Sequence, residues 1–99
     1  MNVFIGSGEV TKVNLLTGER KMLKFALAIP VNNSNQAKER IDYVPCMIYN
    51  PTDEVQRLLT QGKKLELQGR VQTYSFEIAG ETICKTQVVV NQRSLKILE

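Results

Sequence analysis

Histidine is absent from this chain of 99 residues, and with it the commonest general base near neutral pH. No nucleophile–base arrangement and no phosphate-binding glycine loop stands in its place, so the sequence argues against an enzyme. Cysteine is scarce: Cys46 and Cys84 are the only two, each in an apolar, strand-like segment. A zinc site needs about four ligands at recognisable spacing, and the chain implies neither a metal nor another cofactor. In a reducing compartment both thiols read as small buried hydrophobes. No apolar run approaches the ~20 residues that cross a bilayer. The opening Met1-Asn2-Val3-Phe4 lacks the basic segment and apolar core of a secretory signal, which makes the cytoplasm the expected location. Neither sign of charge dominates: 13 Lys and Arg face 10 Asp and Glu, a net +3 that permits a polyanion partner without requiring one. Internal repeats and low-complexity stretches are missing too.

What remains is a chain of 42% hydrophobic residues, enough for one small core. A single domain is expected over residues 1–99. Val3 to Val13 reads as a strand broken by Gly6 and Gly8, as a bent strand serving two sheets would be. A turn around Gly18 follows, then a strand in which Leu23, Phe25, Leu27, Ile29 and Val31 alternate onto one face. Residues 32–40 offer nothing to anchor a core and read as a hairpin loop carrying Lys38 and Arg40. Ile41 to Tyr49 is a third strand. Asn50 as N-cap, Pro51 in the first turn, the acids Asp53 and Glu54, and Gly62 as the stop predict a helix of about three turns. Lys64 to Ile78 is a fourth strand, Ala79-Gly80-Glu81 a turn, and Thr82 to Asn91 a fifth, before a short packing segment at Leu95, Ile97 and Leu98. Three strands, a helix and two strands is the order of a small all-β Greek-key barrel, the five-stranded oligonucleotide/oligosaccharide-binding (OB) fold.

Parity singles out the candidate site. In the fourth strand Leu65, Leu67, Gly69 and Val71 share one face, while Gln68, Arg70, Gln72, Tyr74 and Phe76 share the other. In the third, Val44, Cys46 and Ile48 oppose Tyr43, Pro45, Met47 and Tyr49. Lys24 lies on the outward parity of the second strand. Aromatic rings and cations along an exposed sheet form a platform on which unpaired bases stack, since every base has a π-face. The same rings could instead plug barrel ends, pack under a loop, or form a subunit or partner interface.

Several segments carry a family likeness: Met1-Asn2 with Gly8, Phe25-Ala26-Leu27-Ala28, Asp42-Tyr43-Val44-Pro45-Cys46, Gln61-Gly62-Lys63-Lys64-Leu65, Gly69-Arg70-Val71-Gln72-Thr73 and Thr86-Gln87-Val88-Val89-Val90. In order and spacing the chain resembles bacterial single-stranded DNA-binding proteins over nearly its whole length. The resemblance implies stacking at Tyr43, Tyr49 and Phe76; Arg70, which parity sets on the same face, could contact phosphate or lie flat against a base. It implies sequence-independent binding that protects single-stranded DNA in replication, recombination, repair or conjugation, and a homotetramer with a homodimer as the alternative. Stacking platforms read DNA and RNA alike, so RNA stays open as a partner. Flanking phosphate contacts are expected from Lys24, Lys38 and Arg40.

The chain departs from the family's pattern in four places. Asn32 and Asn33 stand where another aromatic is common, Gln72 and Tyr74 where cations are common, and Gln61 where a lysine is usual. Fewer cations predict a shallower salt dependence. The sequence also ends at Leu95-Lys96-Ile97-Leu98-Glu99, without the family's usual acidic recruiting tail, so a tailless version is expected. Primosomal replication proteins, dimeric barrels of this size that bridge DNA to helicase-loading partners, are the close alternative. A protein-interaction module using the same face is another.

Overall fold

The computed structural model describes residues 1–31 and 40–98. The expected loop over residues 32–40 therefore lies outside the described residues apart from Arg40, which opens a strand.

Strand β1 (Phe4–Leu16) serves two partners, as its glycines suggested. Its first half pairs antiparallel with β4 (Lys64–Ile78), from Phe4 opposite Gly69 to Glu9 opposite Lys64. Its second half pairs with β2 (Met22–Val31), from Glu9 opposite Ala28 to Leu16 opposite Met22. Gly8 stands at the crossover, where a Cβ would lie 2.3 Å from the Ala28 carbonyl oxygen. Between Thr11 and Asn14 the register slips, and Lys12 takes a φ of 56° inside this β-bulge. β2 pairs antiparallel with β3 (Arg40–Tyr49) along its whole length. β4 forms a hairpin with β5 (Glu81–Val90), and β5 returns to lie parallel to β3 at Cys46–Val88 and Met47–Val89. The order β1-β2-β3-β5-β4, closed by the β1–β4 pairing, is the expected five-stranded OB barrel.

The barrel is filled by Val10, Leu23, Phe25, Leu27, Cys46, Ile48, Leu65, Leu67, Val88 and Val90, with Val55 and Leu59 contributed from the connection between β3 and β4. Each fully buried aliphatic side chain of this kind stabilises the fold by about 1.5–3 kcal/mol. Burial pushes the Cys46 thiol up to about 12, against a smaller downward pull from a backbone hydrogen bond at Leu27. Cys84, expected inside, is exposed on β5.

Helix α1 (Asp53–Leu58) has six residues, not three turns, and its N-cap is Thr52, whose hydroxyl accepts the Val55 N–H at 3.1 Å. Asn50 does different work. At φ 50° its N–H donates to the Lys21 carbonyl at 2.9 Å and its own carbonyl accepts from Gln92 Nε2 at 3.3 Å, closing the end of β3 against two other segments. Helical geometry is already lost at the C-cap Leu59, whose ψ is 75°. Gly62, at φ 93°, donates to the Val10 carbonyl and turns the chain into β4.

Two side chains extend the pairing of β4. The Asn2 amide accepts from the Val71 N–H at 2.8 Å and donates to its carbonyl at 2.7 Å. Ser94, in a 3-10 turn at Gln92–Ser94, accepts from the Gln68 N–H at 2.8 Å, and the two-residue β6 (Lys96–Ile97) then pairs with β4 at Leu65 and Glu66. At the other end β4 and β5 run past the barrel as a two-stranded ribbon. It pairs from Gln72 opposite Gln87 to Ile78 opposite Glu81, and nearly every residue beyond its first pair is exposed. No helix among the described residues is long and apolar enough to cross a membrane.

Candidate nucleic-acid interface

The barrel's outer face can be built rank by rank from the strand register. On β3 the odd residues Tyr43, Pro45, Met47 and Tyr49 point away from the core that Cys46 and Ile48 enter. β2 sets Ala28, Ala26, Lys24 and Met22 beside them in that order. On the far side Val89 of β5 neighbours Met47, and Arg70 of β4 neighbours Val89. The same parity continues along the ribbon through Gln72, Tyr74 and Phe76, with Gln87, Lys85 and Ile83 opposite them.

The middle of this face is flat and apolar. Met47 is only 2% exposed although it has the outward parity of β3. Ala26 and Ala28 keep the β2 side shallow. Tyr43 rises from this floor at 55% exposure, and Tyr49 is half-buried. Tyr74 and Phe76 stack on one another with ring centroids 6.3 Å apart and planes 25° from parallel. Between the rings and the floor, Gln87 Nε2 donates to Gln72 Oε1 at 3.1 Å, which satisfies a largely buried amide without a charge.

Six of the residues singled out by sequence share this face: Lys24, Tyr43, Tyr49, Arg70, Tyr74 and Phe76. Arg40 does not join them. It falls on the opposite parity of β3, and its Nε is 3.0 Å from Asp42 Oδ1 in the only ion pair among the described residues. Lys38 lies outside the described residues.

Two cations escaped the sequence reading. Lys12 Nζ sits 5.3 Å from the centroid of the Tyr43 ring, and the Arg20 guanidinium carbon 5.2 Å from that of Tyr49. A signal for the first was present in the chain. Val10 and Val13 are three apart and both turn inward, which breaks the two-residue period and marks the bulge that carries Lys12. Arg20 lies in a turn, where parity has no meaning. No group of three or more His, Cys, Asp or Glu side chains among the described residues is placed to hold a metal ion.

No curated protein matches the chain. Among solved structures, a Plasmodium falciparum SSB in complex with ssDNA superposes with a TM-score of 0.78 at 21% identity, covering 100% of this chain and 96% of that one; at this identity the likeness speaks for the fold. The sequence model of the Single-strand binding protein family matches residues 1–96. That match takes in all five strands of the barrel and both stretches of the aromatic face, and this chain belongs to the single-strand binding protein family.

Proposed function

We propose that the chain binds single-stranded DNA without reading its sequence, by stacking bases on Tyr43, Tyr49, Tyr74 and Phe76 while Lys24 and Arg70 meet the phosphates. The observation that carries this reading is the outward aromatic row. Four rings stand on one sheet face, none belongs to the core, and the cations among them have no carboxylate partner among the described residues. Exposed rings without a packing role lose water favourably when a base covers them, and a stack gains affinity whichever base arrives. Coating exposed strands during replication, recombination or repair follows from such binding. Val3, just before β1, and Ile5 on it, 57% and 63% exposed, favour self-association beside this face, as a homotetramer or a homodimer. Native mass spectrometry with and without an oligonucleotide reads that state directly.

The binding reading is tested by titrating single-stranded DNA, single-stranded RNA and duplex DNA of equal length at several salt concentrations. Single strands should bind well above duplex, whose bases are already stacked, with a salt slope of about −0.7 for each phosphate engaged. Equal affinity for duplex, or no binding to single strands, would overturn it.

A further inference from the structure

We propose that Lys12 and Arg20 belong to the nucleic-acid interface, each holding one β3 tyrosine by its π-face while keeping its N–H donors for a phosphate. This inference rests on the proposed binding of single strands. Three independent features of the fold converge on it.

The first is strain. Lys12 is a non-glycine residue at φ 56°, a conformation that costs an ordinary side chain energy and persists where the surroundings hold it. The bulge that holds it takes the lysine off the β1 parity, and its Nζ stands 5.3 Å from the centroid of the Tyr43 ring, whose strand neighbour on β2 is Ala28.

The second is anchoring. Arg20 is in the turn between β1 and β2, and the next residue, Lys21, accepts the Asn50 N–H at 2.9 Å. Asn50 directly follows Tyr49. One backbone hydrogen bond therefore ties the arginine's turn to the tyrosine's strand end and accounts for the 5.2 Å approach of guanidinium to ring.

The third is charge. The only ion pair among the described residues is Arg40–Asp42, so neither Lys12 nor Arg20 is neutralised by a carboxylate there. A cation over a ring is held by the quadrupole rather than by its N–H groups, which leaves three donors on Lys12 and five on Arg20. Each tyrosine then offers one π-face to the cation and the other to a base, with phosphate donors one ring-thickness away. Lys12, Lys24 and Arg20 make a line of positive charge along the β2 side of the tyrosines, facing Lys85 and Arg70 on the other side.

The test is anisotropy titration of a labelled oligothymidine across a salt series, for wild type, K12Q, R20Q, R20K and the control R57Q. Arg57 is an exposed residue of α1 outside this face and carries the same charge change. Expected are losses of about 3- to 30-fold for K12Q and for R20Q, with the salt slope flattened by about 0.7 in each. R20K should restore the slope but not the whole affinity, because an ammonium keeps the charge and loses the flat stacking surface. R57Q should leave both unchanged. If wild type binds and the tyrosines matter, yet K12Q and R20Q keep the slope of R57Q, the cation assignment is wrong while the stacking reading stands. If wild type does not bind oligothymidine, both readings fail.

Discussion

Replacing Tyr43 and Phe76 together by leucine keeps apolar bulk at both sites and removes both π-faces. Base–aromatic stacks in proteins of this family and its kin are worth about 1–3 kcal/mol each, a range carried over from them. The structure narrows the expectation. Tyr43 is 55% exposed and stands clear of other rings, so its stack should be lost in full. Phe76 shares its place with Tyr74 at 6.3 Å, and the remaining ring can still hold a base, so its loss falls at the low end. The two sites stand on β3 and β4, which are separated by β5 and not paired with one another, so their effects should add. The sum is about 3 kcal/mol, a weakening of roughly 150-fold. Anisotropy with a labelled oligothymidine at fixed salt measures it, and a thermal melt shows whether the barrel is intact. A change of less than about threefold in a variant that melts like wild type would refute the stacking argument.

Other expectations concern the frame that carries the face. Gly69→Ala would place a Cβ 2.3 Å from the Val89 carbonyl oxygen and 2.9 Å from Val88 Cγ1, so strand backbone must shift. A loss of about 1–3 kcal/mol is expected, seen as a melting temperature lowered by about 5–20 °C. Thr52→Ala removes the acceptor for the Val55 N–H and should cost about 1 kcal/mol by denaturant titration, whereas Asn50→Ala keeps the backbone N–H that Lys21 accepts and acts only through the cost of alanine at φ 50°. With a thiol-specific alkylating agent near neutral pH, Cys84 should react in the native protein and Cys46 only on unfolding. The Cys46 thiol keeps its proton in the fold up to about 12, while an unfolded thiol releases it near 9.0. Between those values the unfolded state binds fewer protons, so this group makes stability fall with rising pH by up to about 1.4 kcal/mol per unit. Cys46→Ala should remove that part of the slope, as measured by urea titrations at pH 8 to 11.

Most of the architecture was legible because two-residue alternation survives wherever one strand face is buried. The parity of Leu65 and Leu67 against Arg70, Tyr74 and Phe76, and of Cys46 and Ile48 against Tyr43 and Tyr49, carried over directly to the two sides of the barrel wall. What stayed hidden depends on backbone conformations that alternation does not encode. Asn50 and Thr52 are both good caps by composition; it is the Thr52 hydroxyl that accepts the Val55 N–H, while Asn50, at φ 50°, pairs through its backbone with Lys21. Lys12 and Arg20 sit in a bulge and a turn, where a side chain's direction follows from φ and ψ rather than from its number. Arg40 borders the loop in sequence, yet it opens β3, and its even number sets it with Val44, away from the tyrosines. Cys84 resembles Cys46 in sequence context but lies past the end of the barrel, where there is no core to enter.

The β4–β5 ribbon gives the binding face two halves of unlike stiffness. Tyr43 and Tyr49 stand on a strand backed by the core, so they offer a fixed first foothold for any passing strand. Tyr74 and Phe76 stand on two strands with no third layer behind them, held mainly by ladder hydrogen bonds, and such a ribbon bends at little cost. A bound strand would be caught at the rigid half and then followed by the compliant one, which can track different backbone paths. On-rate should then belong chiefly to β3 and its cations, and residence time to the ribbon.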